Sequence, residues 1–214
     1  MKKNNEIQNL IKLHTHTYDA LAKDYEKRAK DLIVVTKKNT DWMSKYVSKN
    51  GKILDLGCGV GLATSFFIKK GFKLTCIDIS SKMISYAKKR NKNANFVKGD
   101  FLTTNFNSQF DGIFAFSFIH LFPKIIVNQI LKKIYNILNP GGIAFIESTK
   151  SKKGSEGWEI KKDYFGKHKR FRKHWTKKEL QETLIQANFR ILDSRECLDP
   201  FGKTWISFIV QKPF

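Results

Sequence analysis

Ile53-Leu54-Asp55-Leu56-Gly57-Cys58-Gly59-Val60-Gly61 runs from an apolar segment into three glycines at alternate positions. Ile53 to Leu56 has the length and near-continuous apolarity of a parallel strand buried on both faces, interrupted only by Asp55. After Gly61 the period changes: Leu62, Phe66 and Phe67 recur at helical spacing until Gly71 stops the segment. Strand, glycine turn and helix in that order open a nucleotide-binding βαβ unit. Glycine adopts backbone angles that other residues avoid and lets a ligand approach the main chain closely.

Two details narrow the ligand. The dinucleotide fingerprint is G-x-G-x-x-G, whereas here the third glycine comes one residue early, and Asp55 stands two places before the first. A carboxylate there repels a diphosphate and suits a ligand carrying an ammonium group. The stretch resembles motif I of the class I S-adenosylmethionine-dependent methyltransferases, usually close to LDLGCGTG. The resemblance covers essentially the whole chain and is most specific over residues 51–149. It implies that Gly57, Cys58 and Gly59 lie against S-adenosyl-L-methionine, and that Asp55 orients the turn and the ligand's ammonium, directly or through water. The alternative is a tight strand–helix turn without a ligand, with Cys58 as a small packing residue.

Residues 6–50 read as helical throughout. Tyr18-Asp19-Ala20-Leu21-Ala22-Lys23-Asp24-Tyr25 resembles the Y-D-x-x-A-x-x-Y segment that precedes motif I in many small-molecule methyltransferases, where N-terminal helices fold over the cofactor. That places Tyr25 near the sulfonium, a cation that an aromatic face attracts. Packing against the core is the other reading for Tyr25, and the preferred one for Tyr18 and Trp42. His14 and His16, two apart on a helix, face different ways and receive no role.

Lys73 to Ile77 reads as a second strand ending in Asp78. An acid at that tip, about 20 residues past the glycine turn, accepts hydrogen bonds from a ribose diol. Ser80 or Ser81 caps the next helix. By resemblance, Ile79 and Met83 wall an adenine and Asp100 receives its amino group, with Phe101 alongside; Gly99-Asp100 alone also suits a plain turn. Phe110 to Ser117 is almost wholly apolar, as a central parallel strand should be, and matches the family's FD-x-I strand. Its carboxyl end, with Ser117 and His120, falls where ligands bind in open α/β sheets. His120 fits either a general base or a residue that orders the loop.

Pro123 opens a helix that Asn139-Pro140-Gly141-Gly142 stops before a fifth strand, Ile143 to Glu147. Ser148 to Tyr164 is the least patterned part. Lys167 to Trp175 is densely basic with interleaved aromatics, which suits a grip on a phosphate, a carboxylate or an RNA strand, or equally a solvated loop. Thr176-Lys177-Lys178-Glu179 fits a capping box. Arg190 to Leu198 and Thr204 to Val210 close the chain as a hairpin, whose last strand is antiparallel in the family. The expected fold is α/β: a doubly wound, seven-stranded, mostly parallel sheet with an antiparallel C-terminal strand and N-terminal capping helices. It is read as one domain, with a helical cap at 1–50, a cofactor-binding core at 51–149, a variable substrate-side insertion at 150–175, and a last helix and hairpin at 176–214.

At 41% hydrophobic and 13% aromatic residues, the chain carries enough apolar surface for a core, which excludes a disordered protein. No apolar run approaches the roughly 20 residues needed to cross a membrane. Met1 to Asn5 lead into a charged segment rather than an apolar signal region. Three scattered cysteines lack metal spacing, so a reduced, cytoplasmic protein without a metal is expected. The net charge of +21 is what a nucleic-acid binder has. Yet most of it is Lys rather than the bidentate Arg, and Lys, Asn, Ile and Phe are enriched together, as an A+T-rich coding sequence produces without functional cause.

The resemblance implies methyl transfer from S-adenosyl-L-methionine, leaving S-adenosyl-L-homocysteine, to an N, O, C or S atom of a small molecule. A tRNA or other RNA acceptor gripped by residues 167–175 is the alternative, although Ser117-Phe118-Ile119-His120 stands where nucleic-acid amino-methylases carry Asn/Asp-Pro-Pro-Tyr/Phe. A non-catalytic S-adenosylmethionine-binding module is the third reading, since fold does not fix function. A nicotinamide oxidoreductase does not account for the glycine spacing, Asp55 or the terminal hairpin.

Overall fold

The computed structural model describes residues 2–161 and 168–214. The described residues form one seven-stranded sheet, with spatial order β3-β2-β1-β4-β5-β9-β8, and a separate two-stranded ribbon, β6-β7. The strands are β1 (Lys52–Leu56), β2 (Lys73–Asp78), β3 (Asn95–Lys98), β4 (Phe110–Ala115), β5 (Leu138–Thr149), β6 (Ser155–Lys161), β7 (His168–His174), β8 (Arg190–Leu198) and β9 (Thr204–Gln211). The helices are α1 (Lys2–Arg28), α2 (Ile33–Met43), α3 (Leu62–Lys69), α4 (Ser81–Arg90), α5 (Lys124–Ile137) and α6 (Lys177–Gln186). β1 to β5 pair in parallel, and β9 enters antiparallel between β5 and β8, as expected from the closing hairpin.

The winding explains the site's position. From β1 the chain steps outward through β2 to β3, then returns to the other side of β1 with β4. The crevice between the carboxyl ends of β1 and β4 is therefore the switch point, where an open parallel sheet leaves room for a ligand. The inner strands are apolar on both faces, so each face must be covered. Ile113, Ile130, Leu131 and Phe208 belong to the core under α5 and α6, whereas Ile53, Phe67, Phe114 and Phe145 belong to the core under α2 and α3. Phe114 stacks on Phe145 at 4.5 Å across adjacent strands, locking β4 to β5. Trp42 is buried in that second core, and its indole donates to Asp193 at 2.8 Å, in keeping with a packing role.

Several boundaries differ from the sequence reading, each for a local reason. The segment 6–50 is not helical throughout: a 3-10 turn, Ala29–Leu32, separates α1 from α2, and helix ends at Met43, leaving Tyr46 in a turn. Asn139 to Gly142 is not a free turn. It is the irregular start of β5, with Gly141 at φ +74° and the register with β4 shifting between Phe110 and Gly112. The capping box at α6 is half formed: Thr176 accepts from the Glu179 N–H at 3.0 Å, but the Glu179 carboxylate goes to Lys173 and Lys124 instead. The basic segment, read either as a grip on an anion or RNA or as a solvated loop, is over His168–His174 a strand, β7, paired antiparallel with β6, which occupies part of the stretch read as unpatterned. Tyr164 and Lys167 lie outside the described residues.

Candidate active site

The glycine turn is held by the end of β2. The Gly57 and Cys58 N–H groups both donate to the Ile77 carbonyl, at 2.9 and 3.1 Å, and the Gly59 N–H donates to Asp78 Oδ2 at 2.9 Å. Two glycines have distinct reasons to lack a side chain. Gly57 sits at φ +70°, and a Cβ there would meet the Phe118 ring at 2.6 Å. Gly59 sits at φ +53° with nothing within 4 Å of such a Cβ, because it faces the cavity. The backbone is bare there without packing against anything.

Two carboxyl groups form the floor. Asp55, at the buried end of β1, accepts from Thr64 Oγ1 on α3 at 2.6 Å; burial, helped by neighbouring Asp78, pushes its pKa up to about 7. Asp78 accepts from the N–H groups of Gly59 and Ser80, and burial pushes it up to about 6. A carboxylate offers about four lone-pair sites, so the Asp78 edge lining the cavity retains acceptor capacity. Ser80 caps α4 by accepting from the Met83 N–H at 3.1 Å, and its hydroxyl donates to Asp19 on α1 at 2.6 Å.

The far wall comes from β4 and β5. Ser117 has φ +54°, a left-handed conformation that a serine rarely adopts, immediately after β4. Its hydroxyl reaches Glu147 Oε1 at 3.4 Å, while Glu147 Oε2 accepts from Asn39 at 3.0 Å and Ser207 at 2.8 Å. Burial raises the Glu147 carboxyl to about 8. Sequence reading missed Glu147, although the signal was present: like Asp55, it is an acid at the carboxyl end of an apolar strand. His120, in the 3-10 turn Ile119–Leu121, packs edge-on against Trp205 at 5.4 Å.

A roof closes over these groups. α1 contributes Tyr18 and Tyr25, whose rings meet edge to face at 5.9 Å. β7 lies against α1: Thr17 donates to the Lys169 carbonyl at 3.1 Å, and the Phe171 N–H donates to His14 Nε2 at 3.4 Å. His14, assigned no role from sequence, is thus a buried latch. Burial and the nearby Arg170 lower its pKa to about 4, which keeps the ring neutral and able to accept. The two-residue period of β7 sends Arg170 and Arg172 inward, 7% and 4% exposed, and both line the cavity.

Tyr25, Asp55, Gly57, Cys58, Gly59 and Asp78 all border this one cavity, as do Ile79, Met83, Asp100, Phe101, Ser117 and His120. The structure thus brings every residue read from the sequence as a cofactor or catalytic candidate to the lining of one cavity. Met83 lies buried in a cluster against which the α1 tyrosines pack. Asp100 also caps its own turn, accepting from the Leu102 N–H at 3.1 Å.

A family model described as a methyltransferase domain matches residues 53–142. The chain is 32% identical over 123 residues to YqeM of Bacillus subtilis (strain 168), named as a methyltransferase, covering 55% of this chain and 50% of that one. It is 34% identical over 89 residues to the ribosomal RNA small subunit methyltransferase A of Mesomycoplasma hyopneumoniae (strain 232), covering 41% and 33%. The chain therefore spans half or less of the length of these curated relatives. In structure it is similar to the 1,6-didemethyltoxoflavin-N1-methyltransferase of Burkholderia thailandensis, solved with 1,6-didemethyltoxoflavin and S-adenosylhomocysteine. The TM-score is 0.70, with 21% identity over 94% of this chain and 91% of that one, which speaks for the fold.

Proposed function

We infer that the chain is a class I S-adenosylmethionine-dependent methyltransferase and that it methylates a small molecule held in the roofed cavity. The residues fit the methyl donor. Gly59 leaves the main chain bare toward the cavity, Asp78 offers a half-buried acceptor edge for a ribose diol, and Asp55 sets a carboxyl group beneath the turn that an arriving ammonium would hold ionised. Phe101, Ile79 and Met83 supply an apolar wall for a base, beside Asp100 as its acceptor. Tyr25 and Tyr18 present aromatic edges and faces suited to a sulfonium.

When bound, S-adenosylmethionine supplies a methyl group already activated on sulfur, so the chain's work is positioning and exclusion of water. The α1–β7 roof excludes water, and the aromatic wall of Phe118 and Phe122 orients what enters beside Ser117. His120 is assigned to ordering the loop after β4, on the strength of its burial against Trp205. The observation that favours a small acceptor over RNA is the burial of Arg170 and Arg172: the arginines of the basic run face the cavity, where a folded RNA surface does not reach. Calorimetric titration with S-adenosylmethionine, S-adenosylhomocysteine and NAD tests the reading. Binding of both S-adenosyl ligands and not NAD is expected, and the absence of S-adenosyl binding would overturn it.

A further inference from the structure

The cavity is divided by charge. Its floor, at the carboxyl ends of β1 and β2, carries Asp55 and Asp78; its roof, on β7, carries Arg170 and Arg172. Two guanidinium groups two residues apart on one strand face repel each other, and burial removes the solvent that would screen them. Buried arginines are normally neutralised by a carboxylate. Among the described residues no carboxylate lies within 4.0 Å of Arg172, and its buried Nε has no hydrogen-bond partner. Nearby Lys173, equally buried, is paired with Glu179 at 2.9 Å, so the same strand pairs its cation where one points away from the cavity. The rings of Tyr18 and Tyr25 lie near Arg172, and the acid that acts on it, Glu159 on β6, is more than 4.0 Å away and is bonded to His174. β7 packs on α1 and on the 3-10 turn after β4, which puts this cationic face at the end of the cavity reached past Ser117 and His120.

We propose that Arg172, with Arg170 beside it, anchors the carboxylate or phosphate group of a small organic anion on the roof of the cavity, and that this anion is the methyl acceptor. The second clause rests on the methyltransferase reading; the first does not. A planar guanidinium pairs bidentately with either anion, and the aromatic walls suit an apolar body attached to it. The arrangement leaves Arg172 without a directly bonded carboxylate until ligand arrives, as a binding residue retained at the expense of stability does.

The test is calorimetric titration of the protein saturated with S-adenosylhomocysteine, using benzoate, phenyl phosphate and uncharged benzamide as probes, on the wild type, Arg172→Met and Arg172→Lys. Both variants are checked for melting temperature without ligand. The wild type should bind an anion better than benzamide, with the tighter of the two identifying carboxylate or phosphate chemistry. Arg172→Met should weaken that anion by about 30-fold or more, as expected for loss of a buried charged partner, with Arg172→Lys intermediate. S-adenosylhomocysteine affinity should stay within about threefold in all three proteins, a difference below 1 kcal/mol. Arg172→Met should also melt no lower than the wild type, because it removes an unpaired buried charge. Equal binding of anions and benzamide to the wild type would overturn the proposal. A loss of S-adenosylhomocysteine affinity in Arg172→Met would do so too, by assigning the arginine to the donor's own carboxylate. A lower melting point with unchanged anion affinity would make it a packing residue. Failure of S-adenosylhomocysteine to bind the wild type would overturn the methyltransferase reading instead, and the same titrations on the free protein would still decide the anion site.

Discussion

Replacing the first two glycines of the turn, one at a time, separates folding from ligand binding. Both residues have positive φ, +70° at Gly57 and +53° at Gly59, so alanine at either costs about 1–2 kcal/mol of backbone strain. At Gly59 nothing further opposes the methyl group, since no atom lies within 4 Å of it. At Gly57 the same methyl lands 2.6 Å from the Phe118 ring. That ring cannot easily yield: it meets Phe122 at 5.1 Å and Phe101 at 6.5 Å. Overpacking of this kind adds about 1–3 kcal/mol. Gly57→Ala should therefore be less stable than Gly59→Ala by about that amount in urea unfolding. Binding should rank the other way per unit of stability lost. The Gly59→Ala methyl projects into the cavity against the ligand, so a well-folded variant should lose at least about tenfold in S-adenosylhomocysteine affinity, or 1.4 kcal/mol. Unimpaired binding by Gly59→Ala would refute the placement of the donor on this turn. Equal stability of the two variants would refute the Phe118 contact.

Three further outcomes follow from the site. Asp55, Asp78 and Glu147 have folded pKa values raised to about 7, 6 and 8, against unfolded values near 4. Their protonated forms thus favour the folded state below about pH 4, and this contribution is lost progressively as pH rises from about 4 through the folded values of 6 to 8. Urea midpoints of the ligand-free protein should fall across that window, and Glu147→Gln should flatten its upper end; a flat wild-type profile would contradict the burial argument. Asp78→Asn should weaken S-adenosylhomocysteine by about 1.5–3 kcal/mol, the range for hydrogen bonds to a charged acceptor, and unchanged affinity would remove Asp78 from the donor site. His120→Phe should keep turnover within about tenfold, whereas a general base would lose a factor of about 10²–10⁴.

What the sequence made legible was local. The glycine turn, Asp78 and the apolar β4 announce themselves through backbone geometry and short hydrophobic runs, signals carried by neighbouring residues. The roof was not legible, because its pattern is inverted. In β7 the inward residues are Arg170 and Arg172 while Phe171 packs on the opposite side into the main core, so a strand buried on both faces reads as a basic loop. His14 gave no sign of its partner, the Phe171 N–H, 157 residues away. The positive φ of Ser117 is likewise imposed by its tertiary setting. Glu147 was legible on the same signal as Asp55, an acid near the carboxyl end of an apolar strand.

The claim that this chain methylates a small molecule is tested most directly by incubating it with methyl-labelled S-adenosylmethionine and a cell extract, then separating low-molecular-mass solutes from RNA and protein. Label should appear in the low-mass fraction, persist after ribonuclease treatment of the extract, and be retained on an anion exchanger. Transfer into RNA, or none to any fraction, would contradict it.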